Sequence, residues 1–220
     1  MSLLGIHMGV TSCQAVAVAL DGTLLGRASG SYAVHEGPGG TRELDVQEVW
    51  AAVSDVIRAV AQRSQEDPIR ALSVTTMGEA ITPLSAEGHV LDRCILGSDP
   101  RGADYVRDLE RQVGTSHLFD TTGRLASRMY SLGKLCWLRD ERPRLFQNTW
   151  RFVLGSGLIT HLLGGSATCD YSLASSTLLY DIKQKRWSHP LLSACNLPVL
   201  KLPDIGFAGN ALGTIATGTA

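Results

Sequence analysis

The chain's opening constrains it most, because three strand-like runs follow one another with gaps too short to hold a helix. Leu3 to Met8 reads as a strand ending at Gly9, and Cys13 to Leu20 as a second one carrying Val16, Val18 and Leu20. Asp21-Gly22 is a strong hairpin signal, since both residues tolerate the positive φ of two-residue loops, and Thr23 to Val34 supplies a third strand. His35-Glu36-Gly37-Pro38-Gly39-Gly40 is expected to break the pattern as a loop. Beyond it, Asp45 and Glu48 stand as in a capping box, ahead of Val46, Val49, Trp50, Val53, Ile57 and Val60 at helical spacing. Asp67-Pro68 ends that helix, and Ile69 to Thr75 reads as a strand feeding Thr76-Met77-Gly78-Glu79. Three strands, a helix and a strand suit an α/β fold, a mixed sheet with flanking helices.

Further helices are expected over Asp104 to Val113, over Leu132 to Arg139 behind Ser131, and over Ser156 to Leu163, the last capped by Ser156 and stopped by Gly164-Gly165. Ser188 with Pro190 in the first turn starts a short one. The tail from Leu197 to Ala220 is rich in Pro and Gly and weakly patterned.

Charge and cysteine usage narrow the function classes. With 20 Lys and Arg against 21 Asp and Glu, the formal net charge is −1, which gives no reason to expect nucleic acid as a partner. A hydrophobic content of 44% with 19% charged residues is that of a globular chain. Five scattered cysteines with no Cys-x-x-Cys pair argue against a disulfide framework or a structural zinc site. No apolar run nears the roughly 18 residues of a membrane span, and no signal-peptide pattern opens the chain. A reducing cytoplasm is the expected compartment.

Most short motifs fail on spacing. Gly5 and Gly9 do not form Gly-x-Gly-x-x-Gly, and a strand follows them where a dinucleotide fold needs a helix. Gly133-Lys134 lacks an upstream glycine loop, so there is no Walker A motif. Ser156 has leucines where a nucleophile elbow needs glycines. The turn Gly9-Val10-Thr11-Ser12 is more informative. Successive N–H groups and hydroxyls at such a turn can cradle an anion, although an ordinary Gly-Thr turn is the simpler reading of those four residues alone.

Several segments in succession carry a resemblance. Gly5-Ile6-His7-Met8-Gly9-Val10-Thr11-Ser12 resembles a Gly-Ile-Asp-x-Gly-Thr-Thr-Ser phosphate hairpin, and Glu43-Leu44-Asp45-Val46-Gln47-Glu48-Val49-Trp50 a Glu-Gln-Asp-Pro-Glu-Glu-x-Trp helix start. Ser73 to Ala80 is similar to a sugar-contacting strand end, and Ile95-Leu96-Gly97-Ser98-Asp99-Pro100-Arg101 to Ile-Leu-Trp-x-Asp-x-Arg. Ser131 to Leu138 and Ala167 to Ser175 match two later landmarks. Together these resemble the N-terminal half of the FGGY family of carbohydrate kinases. The resemblance implies a ribonuclease-H-like (actin-like ATPase) domain over residues 1–220, with the C-terminal, ATP-binding kinase domain absent from this chain.

It also implies transfer of the ATP γ-phosphoryl group, with Mg²⁺, to a hydroxyl of a small-molecule sugar: a ketopentose, polyol or sugar acid. Gly9, Thr11, Ser12 and Gln14 would face the phosphates; Met77, Glu79, Asp99 and Met129 would line the sugar pocket. The catalytic base is expected outside this chain, so the chain alone is expected to be inactive. The packing surface that the tail leaves exposed keeps a homodimer open. Plainer readings also stand: Glu79 as an exposed strand-end charge, Met77 as core, Arg101 as a solvated partner of Asp99 or Asp104.

The phosphate end departs from the pattern. His7 stands at the metal-associated position, where the family has Asp, Val10 replaces a hydroxyl, and Gln14 replaces a basic residue. A noncatalytic sugar- or partner-binding member of the family is therefore the alternative, and an actin-like ATPase unrelated to sugars a more distant one.

Overall fold

Strands β1 (Ser2–Met8), β2 (Ser12–Ala19) and β3 (Leu24–Ser31) form the expected antiparallel ribbon. The computed structural model describes residues 1–215, so the last five residues of the tail lie outside the described residues. Leu4, Ile6 and Met8 alternate inward on β1 while His7 faces out, as the period of two requires.

The stretch expected as a loop begins a further hairpin instead. β4 (His35–Gly37) and β5 (Thr41–Leu44) pair antiparallel around Pro38-Gly39-Gly40, where Gly39 and Gly40 take φ of 72° and 77°. Its strands are short and polar, so neither shows an alternating signature. Helix α1 (Val46–Arg63) follows, and Asp45 caps it by accepting from the N–H groups of Gln47 (2.9 Å) and Glu48 (3.4 Å). The reciprocal half of the capping box is missing, because the Glu48 carboxylate bonds His35. β6 (Ile69–Thr76) then lies parallel to β1, giving a mixed sheet in the order β3-β2-β1-β6 with α1 packed on one face.

β7 (Ile81–Leu84) and β8 (Cys94–Ile95) lead to α2 (Ala103–Val113), α3 (Thr115–Thr122), α4 (Ser131–Glu141) and α5 (Pro143–Asn148). β9 (Arg151–Leu154) and α6 (Gly155–Leu162) come next. Ser156 lies inside α6 and caps nothing: the flanking residue is Leu154, with no side-chain cap bond. A second sheet runs β4-β5-β8-β7-β9, so the strands form two main sheets where one was expected. Two short paired strands, β10 (Cys169–Asp170) and β11 (Tyr180–Asp181), flank α7 (Tyr171–Ser175), and β12 (Arg186–Trp187), α8 (His189–Ala194) and β13 (Ile205–Gly206) complete the elements. One apolar core, with Ile6, Met8, Val49, Val53 and Leu158, fills the space between the first sheet and α1 and α6. The other, with Leu132, Leu135, Leu178 and Leu191, lies around α2, α4 and α8.

Candidate active site

β1 and β6 are parallel neighbours, so their C-terminal ends open at the same edge of the sheet. The Gly9–Ser12 turn leaves one strand and Met77-Gly78-Glu79 leaves the other, joined where the Met77 N–H donates to the Met8 carbonyl at 3.1 Å.

At the hairpin, the carbonyls are tied down from behind. Gly9 N–H donates to Ser12 O (2.8 Å) and Tyr32 N–H to Thr11 O (3.2 Å), while the buried Tyr32 hydroxyl lies 2.7 Å from Gly9 O and 2.9 Å from Ser12 O. Burial pushes the Tyr32 phenol up, so it stays a donor. Among the described residues, the N–H groups of Val10 and Thr11 have no hydrogen-bond partner, and both residues are exposed. A Cβ at position 9 would come within 3.1 Å of Ser12 O, which is why this close turn holds glycine. That is the donor set of an anion cradle.

His7 pairs in register with Gln14 on one side and Thr75 on the other, and its Nδ1 shares a hydrogen bond of 2.9 Å with Thr75 Oγ1. This exposed row beside the turn carries no carboxylate. Among the described residues, no three His, Cys, Asp or Glu side chains are grouped to hold a metal ion. The row therefore suits phosphate oxygens better than it suits Mg²⁺, a hard cation that prefers charged oxygen ligands.

At the other end, Glu79, Gly97 and Met129 converge. A Cβ on Gly97 would fall 2.9 Å from Glu79 Cβ and 3.2 Å from the Met129 carbonyl, so only glycine admits this approach. Ser131 Oγ donates to the Glu79 carbonyl at 3.0 Å. Among the described residues, the Glu79 carboxylate has neither hydrogen bond nor ion pair, which leaves it free to accept hydroxyl donors. Met129 is exposed, and Met77 is partly buried against the first core.

Asp99 sits behind this end rather than in it. The residue is fully buried, and its two oxygens accept from the backbone N–H groups of Arg42 (2.7 Å) and Arg101 (2.9 Å) and twice from the Arg101 guanidinium (2.8 and 2.7 Å). All four lone-pair positions are engaged, so the second hydroxyl acceptor expected here is instead a scaffold carboxylate. Burial pushes its pKa up, but the bonds from Arg101 and Arg42 outweigh that and hold it below the ordinary value. Arg101, for which a solvated partner of Asp99 or Asp104 was the plainer reading, does pair with Asp99 but is mostly buried, binds Glu43 at 2.7 Å and lies 4.7 Å over the Trp137 ring.

Sequence reasoning also missed Lys134. It is wholly buried on α4, and Nζ donates to the carbonyls of Gly97 (2.8 Å), Arg128 (2.5 Å), Met129 (3.0 Å) and Tyr130 (3.3 Å). The only signal was a lysine within the apolar run Leu132 to Leu138.

Comparison with known proteins identifies the family and the fold. The profile of the FGGY family of carbohydrate kinases, N-terminal domain, matches residues 2–220. The chain is 29% identical over 220 residues to an L-fuculokinase of Salmonella typhi, covering 99% of this chain and 47% of that protein. It is 32% identical to a glycerol kinase of Citrifermentans bemidjiense, covering 96% and 44% respectively. A crystal structure of xylulose kinase from Rhodospirillum rubrum superposes with a TM-score of 0.91 at 23% identity, over 100% of this chain and 45% of that one. The chain thus spans about half the length of the curated relatives it matches. With the actin-like ATPase fold shared with its structural neighbours and the family profile matched across its length, this chain belongs to the FGGY family of carbohydrate kinases and corresponds to their N-terminal domain.

Proposed function

We propose that this chain supplies the sugar-binding wall and the phosphate hairpin of an ATP-dependent kinase acting on a ketopentose, a polyol or a sugar acid. The observation that carries the reading is the uncommitted Glu79 carboxylate, packed against Gly97, which also packs against the carbonyl of the exposed Met129. A carboxylate accepts two hydroxyl donors, and an apolar side chain suits the face of a carbon skeleton. The Val10 and Thr11 N–H groups and the Thr11 and Ser12 hydroxyls would hold phosphate oxygens, with Gln14 and His7 beside them. Mg²⁺, when bound, would neutralise charge on the phosphates; the His7 row offers it no carboxylate. Deprotonation of the attacking hydroxyl is assigned to a base outside this chain, in a second, nucleotide-binding domain. The compartment assigned is the cytoplasm.

The alternative is a member that binds sugar and has lost phosphoryl transfer, and the missing carboxylate at His7 is what favours it. Calorimetric titration of the complete protein with fuculose, xylulose, gluconate and glycerol, with and without MgATP, separates the two. Sugar affinity with turnover supports the kinase, sugar affinity without turnover supports the alternative, and no affinity for any of them sinks both.

A further inference from the structure

Lys134 has no carboxylate within ion-pairing distance among the described residues, although its charge is wholly buried. A buried ammonium solvated only by neutral carbonyls is unfavourable, so an apolar residue would serve packing better. What the ammonium does instead is join three stretches of chain: the turn after β8 at Gly97, the turn Arg128-Met129-Tyr130, and α4 itself. Two of the four acceptors are the carbonyl of Gly97, which packs against Glu79, and the carbonyl of Met129, which packs against Gly97. Ser131, three residues before Lys134 on α4, holds the Glu79 carbonyl from the same helix.

We infer that Lys134 is a positioning residue, whose buried ammonium latches the Arg128–Tyr130 turn to Gly97 and so fixes Met129 and Glu79 for sugar. The inference rests on the reading of Glu79 and Met129 as the sugar wall. It also predicts a pH dependence, because losing a proton removes one of three donors facing four acceptors. Burial lowers the Lys134 pKa to about 8, with Asp99 and Glu79 favouring the proton and Arg128 and Arg101 opposing it. The latch therefore loosens as the pH rises through about 8.

The test is amide hydrogen exchange on the complete protein, read at Gly97–Ser98 and Arg128–Tyr130, alongside sugar titration with the panel above. Lys134→Met is expected to speed exchange at both turns by about tenfold and to weaken sugar binding by a similar factor. In the wild type, exchange corrected for its intrinsic base catalysis is expected to rise at these turns as the pH passes about 8, with the Met variant flat. Unchanged exchange in the variant, or a loosened turn with unchanged sugar affinity, overturns the inference. Should the variant fail to fold, the wild-type pH series decides alone, and constant protection across it overturns the latch. If no sugar of the panel binds the wild type, the reading of the wall falls, and the exchange result by itself upholds or overturns the latch.

Discussion

The two ends of the site are built from opposite materials. The proposed sugar end rests on buried charge: Asp99 held by Arg101, Arg101 held by Glu43, and Lys134 bonded to the Gly97 and Met129 carbonyls. The proposed phosphate end rests on backbone, with a glycine turn braced by one tyrosine hydroxyl and an exposed row without carboxylates beside it. Buried ionic networks fix a unique geometry and fail badly when one partner goes. A backbone cradle is cheap to build and tolerates change in the side chains around it. Three departures from the family pattern, His7, Val10 and Gln14, cluster at the hairpin, while Gly97 stands at the other end where the pattern has Trp.

The largest effect expected is on the sugar end's scaffold. Arg101→Met leaves Asp99 buried without its main partner and should destabilise the fold by about 3–5 kcal/mol, read as a lower urea midpoint. The sign with pH follows from Asp99. Its folded pKa lies below the ordinary 3.8, so its contribution is present above that value and is lost as the pH falls through the lowered one. An Arg101→Met protein as stable as the wild type would show that the network is ornamental.

Next comes Glu79→Ala, which should weaken sugar binding by about tenfold to a hundredfold with the fold intact, since a charge-assisted hydrogen bond is worth roughly 1.5–3 kcal/mol. At the other end, Tyr32→Phe should cost about 1 kcal/mol in nucleotide affinity and leave sugar affinity alone, because only the hairpin's carbonyls lose a partner. An equal loss for sugar and nucleotide would show that the two ends are not separable. The smallest effect expected is from His7→Asp. Exposed charges exert roughly 0.2–1 kcal/mol, so turnover or Mg²⁺ affinity should rise by no more than about fivefold. A decrease with normal folding would make His7 an adapted residue rather than a weakened one.

The difference between the ends also explains what could be read from the residues beforehand. The opening ribbon, α1 and β6 were legible because alternation, the Asp21-Gly22 turn and the Asp45 cap are local signals. The hairpin at the phosphate end was legible for the same reason. The β4–β5 hairpin and the second sheet were not, since strands of two to four residues are decided by tertiary pairing, and Ser156, expected as a cap, lies inside α6. Asp99 was misplaced because its residue type fits a hydroxyl acceptor as well as a buried scaffold. Its burial depends on Arg42, 57 positions away in sequence. Lys134 was passed over because its acceptors are carbonyls, which leave no mark in a sequence.

Titrating the complete protein with the sugar panel in the absence of nucleotide, wild type against Glu79→Ala, tests the central claim most directly. A sugar end prebuilt on buried charge predicts that one of these sugars binds before any nucleotide and that the Ala variant loses at least about tenfold in affinity. Sugar binding that requires nucleotide, or that is unchanged in Glu79→Ala, would contradict it.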